Sequence, residues 1–298
     1  MKKTSSLALF TILLLLLSIF FLTGCLKEEA LPVSAVKPDS HAISEPDLPA
    51  ADEPEQSETA EPGSPVVLQP EPTASSDSWY FQRNNQHQVP YVAEDIKTRL
   101  KANNAFYVLD SPGNQIYLTF DEGYELGYTE QILDTLKAND VKAIFFVTGH
   151  YIDSQPELVI RMKQEGHLVG NHTVNHPDLG IADSATIIAE ITGLENKFTL
   201  LTGLPMDKYL RPPMGLYSDL SLSVMSGLGY RTVFWSVAFN DWDPNQQPGA
   251  DYSYQHVMDN IHPGAVILLH AVSQSNAEAL DRIIKDLKAA GYIFSIFT

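Results

Sequence analysis

The chain has 298 residues and a formal net charge of -18, room for one large domain with additions. Its 19 Lys and Arg against 37 Asp and Glu argue against nucleic acid as a partner, because phosphate binding needs clustered cations. A single cysteine, Cys25, excludes an intrachain disulfide.

The N-terminus, residues 1–25, reads as an export signal. Lys2 and Lys3 form a charged start, residues 7–22 form an uncharged apolar run, and Leu22-Thr23-Gly24-Cys25 closes it with small residues at a cleavage point. The sequence LTGC resembles a bacterial lipoprotein box, which implies cleavage before Cys25 and lipidation of its thiol. Left uncleaved, the same run would be a transmembrane anchor. Both readings put the rest of the chain outside the membrane, and two acyl chains on Cys25 would anchor it stably. Residues 26–77 hold nine prolines, twelve acids, two bases and no aromatic. Such a segment cannot bury enough apolar surface to offset its ordering entropy, so it is expected to be a disordered, semi-extended tether.

Order is expected from Trp79 onward. Residues 78–114 mix aromatic and polar side chains around a short amphipathic helix at 93–101, and read as a flank packed on the main domain. From 115 to 298 apolar runs alternate with helical periodicity. Strands are predicted at 116–120, 143–147, 167–171, 209–211, 232–237, 265–269 and 292–297. Helices are predicted between them at 129–139, 155–165, 184–201, 218–228, 252–261 and 277–290. Runs such as AIFFV and AVILL are apolar on both faces, as a covered parallel sheet requires. The rhythm gives an α/β class with a distorted, incomplete (β/α)7-type barrel, because roughly 185 residues is short for eight units.

Polar residues recur at the ends of these runs, and in a parallel α/β fold those ends share one rim. Asp121 and Glu122 follow QIYLTF and precede Gly123. They either cap the helix at 129 or meet a cation that relieves their mutual repulsion, one binding it and the other taking a proton. His172 and His176 stand four apart in NHTVNH. That spacing puts both imidazoles on one face of a helical turn, as a divalent metal requires, although an isolated pair is most often ordinary surface or capping histidines. Asn171 and Pro177 bracket the pair and favour a strand-to-turn transition. Arg211, in YLRPPMG, is either a structural ion-pair partner or a rigid guanidinium steadying Asp121 and holding its pKa low. His270 ends AVILLH, where a satisfied core histidine competes with a proton donor. Asp241, after VFWSVAFN, could accept from His270 and raise its pKa, or merely begin a turn. Trp242 is either core or a sugar-stacking platform. Together these groups read as a metal-assisted hydrolase site.

In order, LTFDEG, NHTVNH, RPPMG, NDW and LLH resemble the motif set of the polysaccharide deacetylase, or NodB-homology, family. The resemblance runs from about residue 115 to the C-terminus. YLTFDEGYELGYT, FFVTGHYI, VFWSVAFNDW and LLHAVSQSNAEALD are most similar to the delta-lactam-biosynthetic, or muramic, de-N-acetylases. The resemblance implies removal of acetyl groups from peptidoglycan amino sugars, N-acetylmuramic acid in particular. It implies Asp121 as general base, Arg211 as its support, His270 as general acid and Asp241 as the residue tuning it. It further implies a divalent metal ion on His172, His176 and Glu122, with Glu122 standing where the family usually has Asp. Zinc is the expected ion among the several divalent ions that such a donor set accepts. Ala238 also departs from the family, which often has Asp there. Substrate contacts are expected from Pro213, Tyr217, Trp242 and Leu269, with the backbone N–H of Tyr217 or a neighbour facing the oxyanion and Leu269 the acetyl methyl. The competing readings are a non-catalytic wall-glycan-binding module and a metal-dependent O-acetyl esterase. The expected partners are peptidoglycan strands and, through a lipid anchor, the membrane, with a monomer facing the cell wall.

Overall fold

The structure is a computed structural model and describes residues 75–110 and 113–298. The export signal, Cys25 and the tether up to residue 74 lie outside the described residues. Among the described residues, no helix is long and apolar enough to cross a membrane.

The elements run β1 (Asp77–Ser78), α1 (Glu94–Ala102), β2 (Ala105–Phe106), β3 (Gln115–Glu122), α2 (Thr129–Ala138), β4 (Ile144–Val147), α3 (Gly149–Ser154) and α4 (Pro156–Gln164). They continue with β5 (Leu168–Asn171), α5 (Ser184–Thr202), β6 (Tyr209–Leu210), a 3-10 turn at Pro213–Gly215, β7 (Leu216–Tyr217), α6 (Asp219–Gly227) and β8 (Arg231–Val233). Last come α7 (Ala250–Asn260), β9 (Val266–His270), α8 (Gln274–Ala289) and β10 (Ile293–Phe294). All seven predicted strands and all seven predicted helices are present. The short α3, β1, β2 and β7 are additions, and α8 starts three residues before its predicted start because the Ser273 side chain caps it at Asn276 N–H.

The main sheet is parallel and curled. β3 is its hub, flanked by β4 on one edge and β9 on the other, and the order continues β4–β5–β6–β8–β2. Beyond β8 the predicted strand is cut short at Val233. A lone parallel bridge from Val237 to Ile267 then brings the same segment back to β9. The fold is therefore the expected α/β half-barrel. The segment read as a flank is part of it, since β2 pairs with β8 and completes the sheet. That segment begins at β1, two residues before Trp79, which pairs antiparallel with β7.

Strand alternation sorts the side chains into two layers. On β3, Ile116, Leu118 and Phe120 face the helices, where they join Ile132, Leu136, Phe145, Val147 and Ile283 in the largest apolar cluster. Tyr117 faces the barrel interior with Phe106, Ile144, Phe146, Val233 and Val266. Gly170 on β5 is required by this interior, because a Cβ there would stand 2.7 Å from the Phe146 ring. Continuing the interior parity past each strand end selects Asp121, His172, Arg211 and His270. The face that fills the barrel with apolar side chains below thus presents polar groups at its carboxyl-end rim.

Candidate active site

The four interior-parity residues meet in one constellation. Arg211 is wholly buried over the Phe146 ring, with its guanidinium carbon 4.3 Å from the centroid. Its Nη1 donates to Asp121 Oδ1 at 2.6 Å and its Nη2 to Thr119 Oγ1 at 2.8 Å. Burial pushes the Asp121 carboxyl up, but Arg211, His172 and His270 outweigh it and hold the pKa below the usual carboxylate value. Asp121 is therefore an ionised carboxylate oriented by a rigid fork.

His172 and His176 are not on a helical turn. They leave β5 in a loop where Thr173 and His176 both take left-handed backbone, φ 68° and 57°. The Asn171 side chain anchors that loop by accepting from Thr173 N–H and donating to Ile191 O. The two imidazoles end with ring centroids 4.8 Å apart. His172 Nδ1 lies 2.8 Å from the Arg211 carbonyl, which can only accept, so Nδ1 carries the proton. Its Nε2 lone pair then faces Asp121 Oδ2 at 3.6 Å. Burial lowers the His172 pKa to about 4, so at neutral pH two electron-rich atoms face each other without a proton between them. Two imidazoles beside one carboxylate oxygen form a donor set suited to a divalent cation. Among the described residues, no three His, Cys, Asp or Glu side chains are grouped to hold a metal as they stand.

Glu122, expected among the metal ligands, does not join this set. It has the opposite strand parity to Asp121 and points into the helix layer beside Glu125, Thr129 and Tyr151. It is fully buried, and neither carboxylate oxygen has a hydrogen-bond partner. Burial first, then the Glu125 and Asp121 charges, raise its pKa well above the usual value. The expectation that Glu122 is a metal ligand is corrected on this ground.

On the other side of Asp121, His270 Nδ1 lies 2.7 Å from Asp241 Oδ1, and its backbone N–H donates to Asp241 Oδ2 at 2.9 Å. Burial disfavours the imidazolium, but the Asp241 charge and hydrogen bond prevail, and the pKa is raised above 6.5. Sequence reasoning missed Asn276. Its carboxamide donates to Asp241 Oδ2 at 2.5 Å and to the His270 carbonyl at 3.2 Å, locking the pair. It lies at N3 of α8, and its only signal in the sequence is the Ser273 cap that fixes where that helix begins.

These groups open into a cavity of about 1190 Å3 that Asp121, His172, His176 and His270 line. Trp242, half exposed, lines it as expected. Three substrate assignments shift by strand or turn parity. Leu269 faces the helix layer, and Leu268 lines the cavity instead. Pro213 does not line the cavity, and Pro212 takes the wall. The Tyr217 side chain is buried against Phe234 and Arg99 and does not line the cavity.

A carboxylate clamped by a buried guanidinium, a carboxylate-raised imidazole and a facing histidine pair on the rim of a curled parallel sheet define a hydrolase of the carbohydrate-deacetylating class. Residues 109–233 match the model of the polysaccharide deacetylase family. The chain is 46% identical over 217 residues to the peptidoglycan-N-acetylmuramic acid deacetylase PdaA of Bacillus subtilis, covering 73% of this chain and 82% of that protein. It is 32% identical over 234 residues to a peptidoglycan-N-acetylglucosamine deacetylase of Bacillus cereus, covering 72% of this chain and 84% of the relative. Its fold is similar to the structure of B. subtilis PdaA, a family 4 carbohydrate esterase. That match has a TM-score of 0.72 at 45% identity and covers 74% of this chain and 95% of the other. The chain belongs to the polysaccharide deacetylase family.

Proposed function

We propose that the protein removes the acetyl group from N-acetylmuramic acid in peptidoglycan strands, releasing acetate and a free amino sugar. The observation that carries this reading is the convergence of an ionised Asp121 and a raised His270 on one cavity wall, joined to the 46% identity with a muramic acid deacetylase. The higher identity to that relative than to the N-acetylglucosamine enzyme supports the muramic substrate.

His172 and His176 would hold a divalent cation, zinc by the sequence reading, and such an ion supplies a Lewis acid for the acetamide oxygen and an acidified water. Asp121 accepts the proton of the attacking water through Oδ2, while Arg211 keeps Oδ1 occupied and the carboxylate ionised. As the C–N bond breaks, His270 gives its proton to the departing nitrogen. Asp241 holds the His270 ring at Nδ1, which leaves Nε2 as the donor. Leu268 and Val272 offer the acetyl methyl an apolar wall, and Trp242 offers a sugar face a stacking surface.

The LTGC sequence supports anchoring through Cys25 beside the wall. Radiolabelled palmitate should enter the wild-type chain and not a Cys25→Ala variant. The reaction is tested with peptidoglycan strands in which mass analysis locates each lost acetyl group. Loss from muramic residues is the expected result. Loss only from O-acetyl esters, or binding without acetate release, would replace the reading.

A further inference from the structure

Among the described residues, the cavity carries one guanidinium that neither the chemistry above nor an ion pair accounts for. Asp121 is matched by Arg211, and Asp153 is matched by Lys197, whose Nζ lies 2.8 Å from both carboxylate oxygens. Arg83 also lines the cavity, and among the described residues it forms no ion pair. It comes from the segment between β1 and α1 rather than from the barrel rim. Its guanidinium is nevertheless held in place. Nη2 donates to the Ala238 carbonyl at 2.6 Å, and the guanidinium carbon sits 5.4 Å from the Phe81 ring centroid. Ala238 contributes no side-chain acceptor, and among the described residues no carboxylate pairs with the remaining N–H groups of the fork. In a chain of net charge -18, an anchored and unmatched guanidinium facing a substrate cavity calls for an anion from outside.

We infer that Arg83 is a carboxylate subsite that selects glycans bearing an acidic substituent near the scissile acetamide. The inference rests on the muramic reading above. N-acetylmuramic acid carries a lactyl carboxylate that N-acetylglucosamine lacks, and stem peptides carry carboxylates as well. The shared chemistry is a carboxylate accepted by a planar fork in paired hydrogen bonds. Arg83, Ala238 and His270 all line the same cavity, so the subsite and the proton donor share one chamber.

The test compares kcat/KM for acetate release from three muramic glycans: one with free lactyl acid, one with that acid capped as its methyl amide, and one bearing stem peptides. For Arg83→Gln, the ratio of the free-acid to the capped substrate should fall roughly 10- to 100-fold, the range of a charged hydrogen-bond pair, mainly through KM. Arg83→Lys should recover part of the loss, because it restores charge without the fork. A fall confined to the peptide-bearing glycan keeps the carboxylate subsite and assigns it to the peptide. An unchanged ratio on both acidic substrates in a normally active protein overturns this inference alone. A wild-type protein that releases no acetate from any muramic glycan overturns the parent reading and this one together.

Discussion

Asp121 of β3 and His270 of β9 are direct partners across two neighbouring parallel strands. The proton acceptor and the proton donor are therefore spaced by backbone register, which loops cannot easily disturb. Asp121→Asn and His270→Ala should each lower kcat by about 10²- to 10⁴-fold, the span of general acid–base contributions. The double variant should fall well short of the product of the two, because the groups act as a unit. Stopped assays of acetate release, beside circular dichroism of each variant, check both statements.

Arg211→Gln should move the acid limb of the pH–rate profile upward. In the wild type the guanidinium helps to hold the Asp121 pKa below its ordinary 3.8, so the base is ionised throughout the neutral range. Without it, burial dominates and the carboxylate takes up a proton at higher pH. A depressed carboxylate pKa stabilises the fold above 3.8 and loses that contribution as pH falls through the folded value. Breaking this buried pair should cost about 3–5 kcal/mol of stability, read from urea unfolding at pH 7.

Asp241→Asn should move the alkaline limb to lower pH. His270 works in its protonated form, and Asp241 raises its pKa above 6.5, so wild-type activity persists until pH passes that raised value. Removing the carboxylate charge brings the limb down. Asn276→Ala should lower kcat by about 10- to 100-fold, as losing a residue that orients an active group commonly does. The His270 imidazole resonance, titrated by NMR in each variant, separates the two effects.

Chelation should remove activity, and His172→Ala and His176→Ala should each lose bound metal on elemental analysis. Glu122→Gln should keep both metal and activity, since Glu122 faces the helix layer, where burial raises its pKa well above the usual carboxylate value. Loss of metal in Glu122→Gln would restore it to the ligand set.

Acid should destabilise the fold between pH 6.5 and about 4. Burial lowers the pKa of both His167 and His172 to about 4, so each is neutral when folded and protonates at 6.5 when unfolded. His167 Nδ1 accepts from the Ala143 N–H at 3.1 Å, a bond that its protonated form cannot make. Stability therefore falls as pH drops through this window. Melting temperatures from pH 7 to pH 4 should decline in the wild type and decline less in His167→Gln.

The fold was legible because strands covered on both faces must be continuously apolar, as in AIFFV and AVILL, and such runs stand out between helices. Asp121, Arg211, Asp241 and His270 were legible because each leaves such a run in a short polar motif. Face parity at the strand ends was not. Glu122 and Leu269 each lie one residue from a side chain that lines the cavity, and a sequence gives no signal for which of two neighbours turns inward. The turn at Pro213 posed the same problem, since Pro212, Met214 and Gly215 line the cavity and Pro213 does not. Asn276 and Arg83 were hidden for another reason. Their partners lie 35 and 155 residues away, and only the closed sheet brings them together.

Acetate released from muramic glycan strands by the metal-loaded wild type and by Asp121→Asn, with mass analysis locating each lost acetyl group, tests the account most directly. The account predicts loss from N-acetylmuramic acid with the wild type and at least about 100-fold less with the variant. Intact N-acetyl groups after wild-type incubation, or equal release by both proteins, would contradict it.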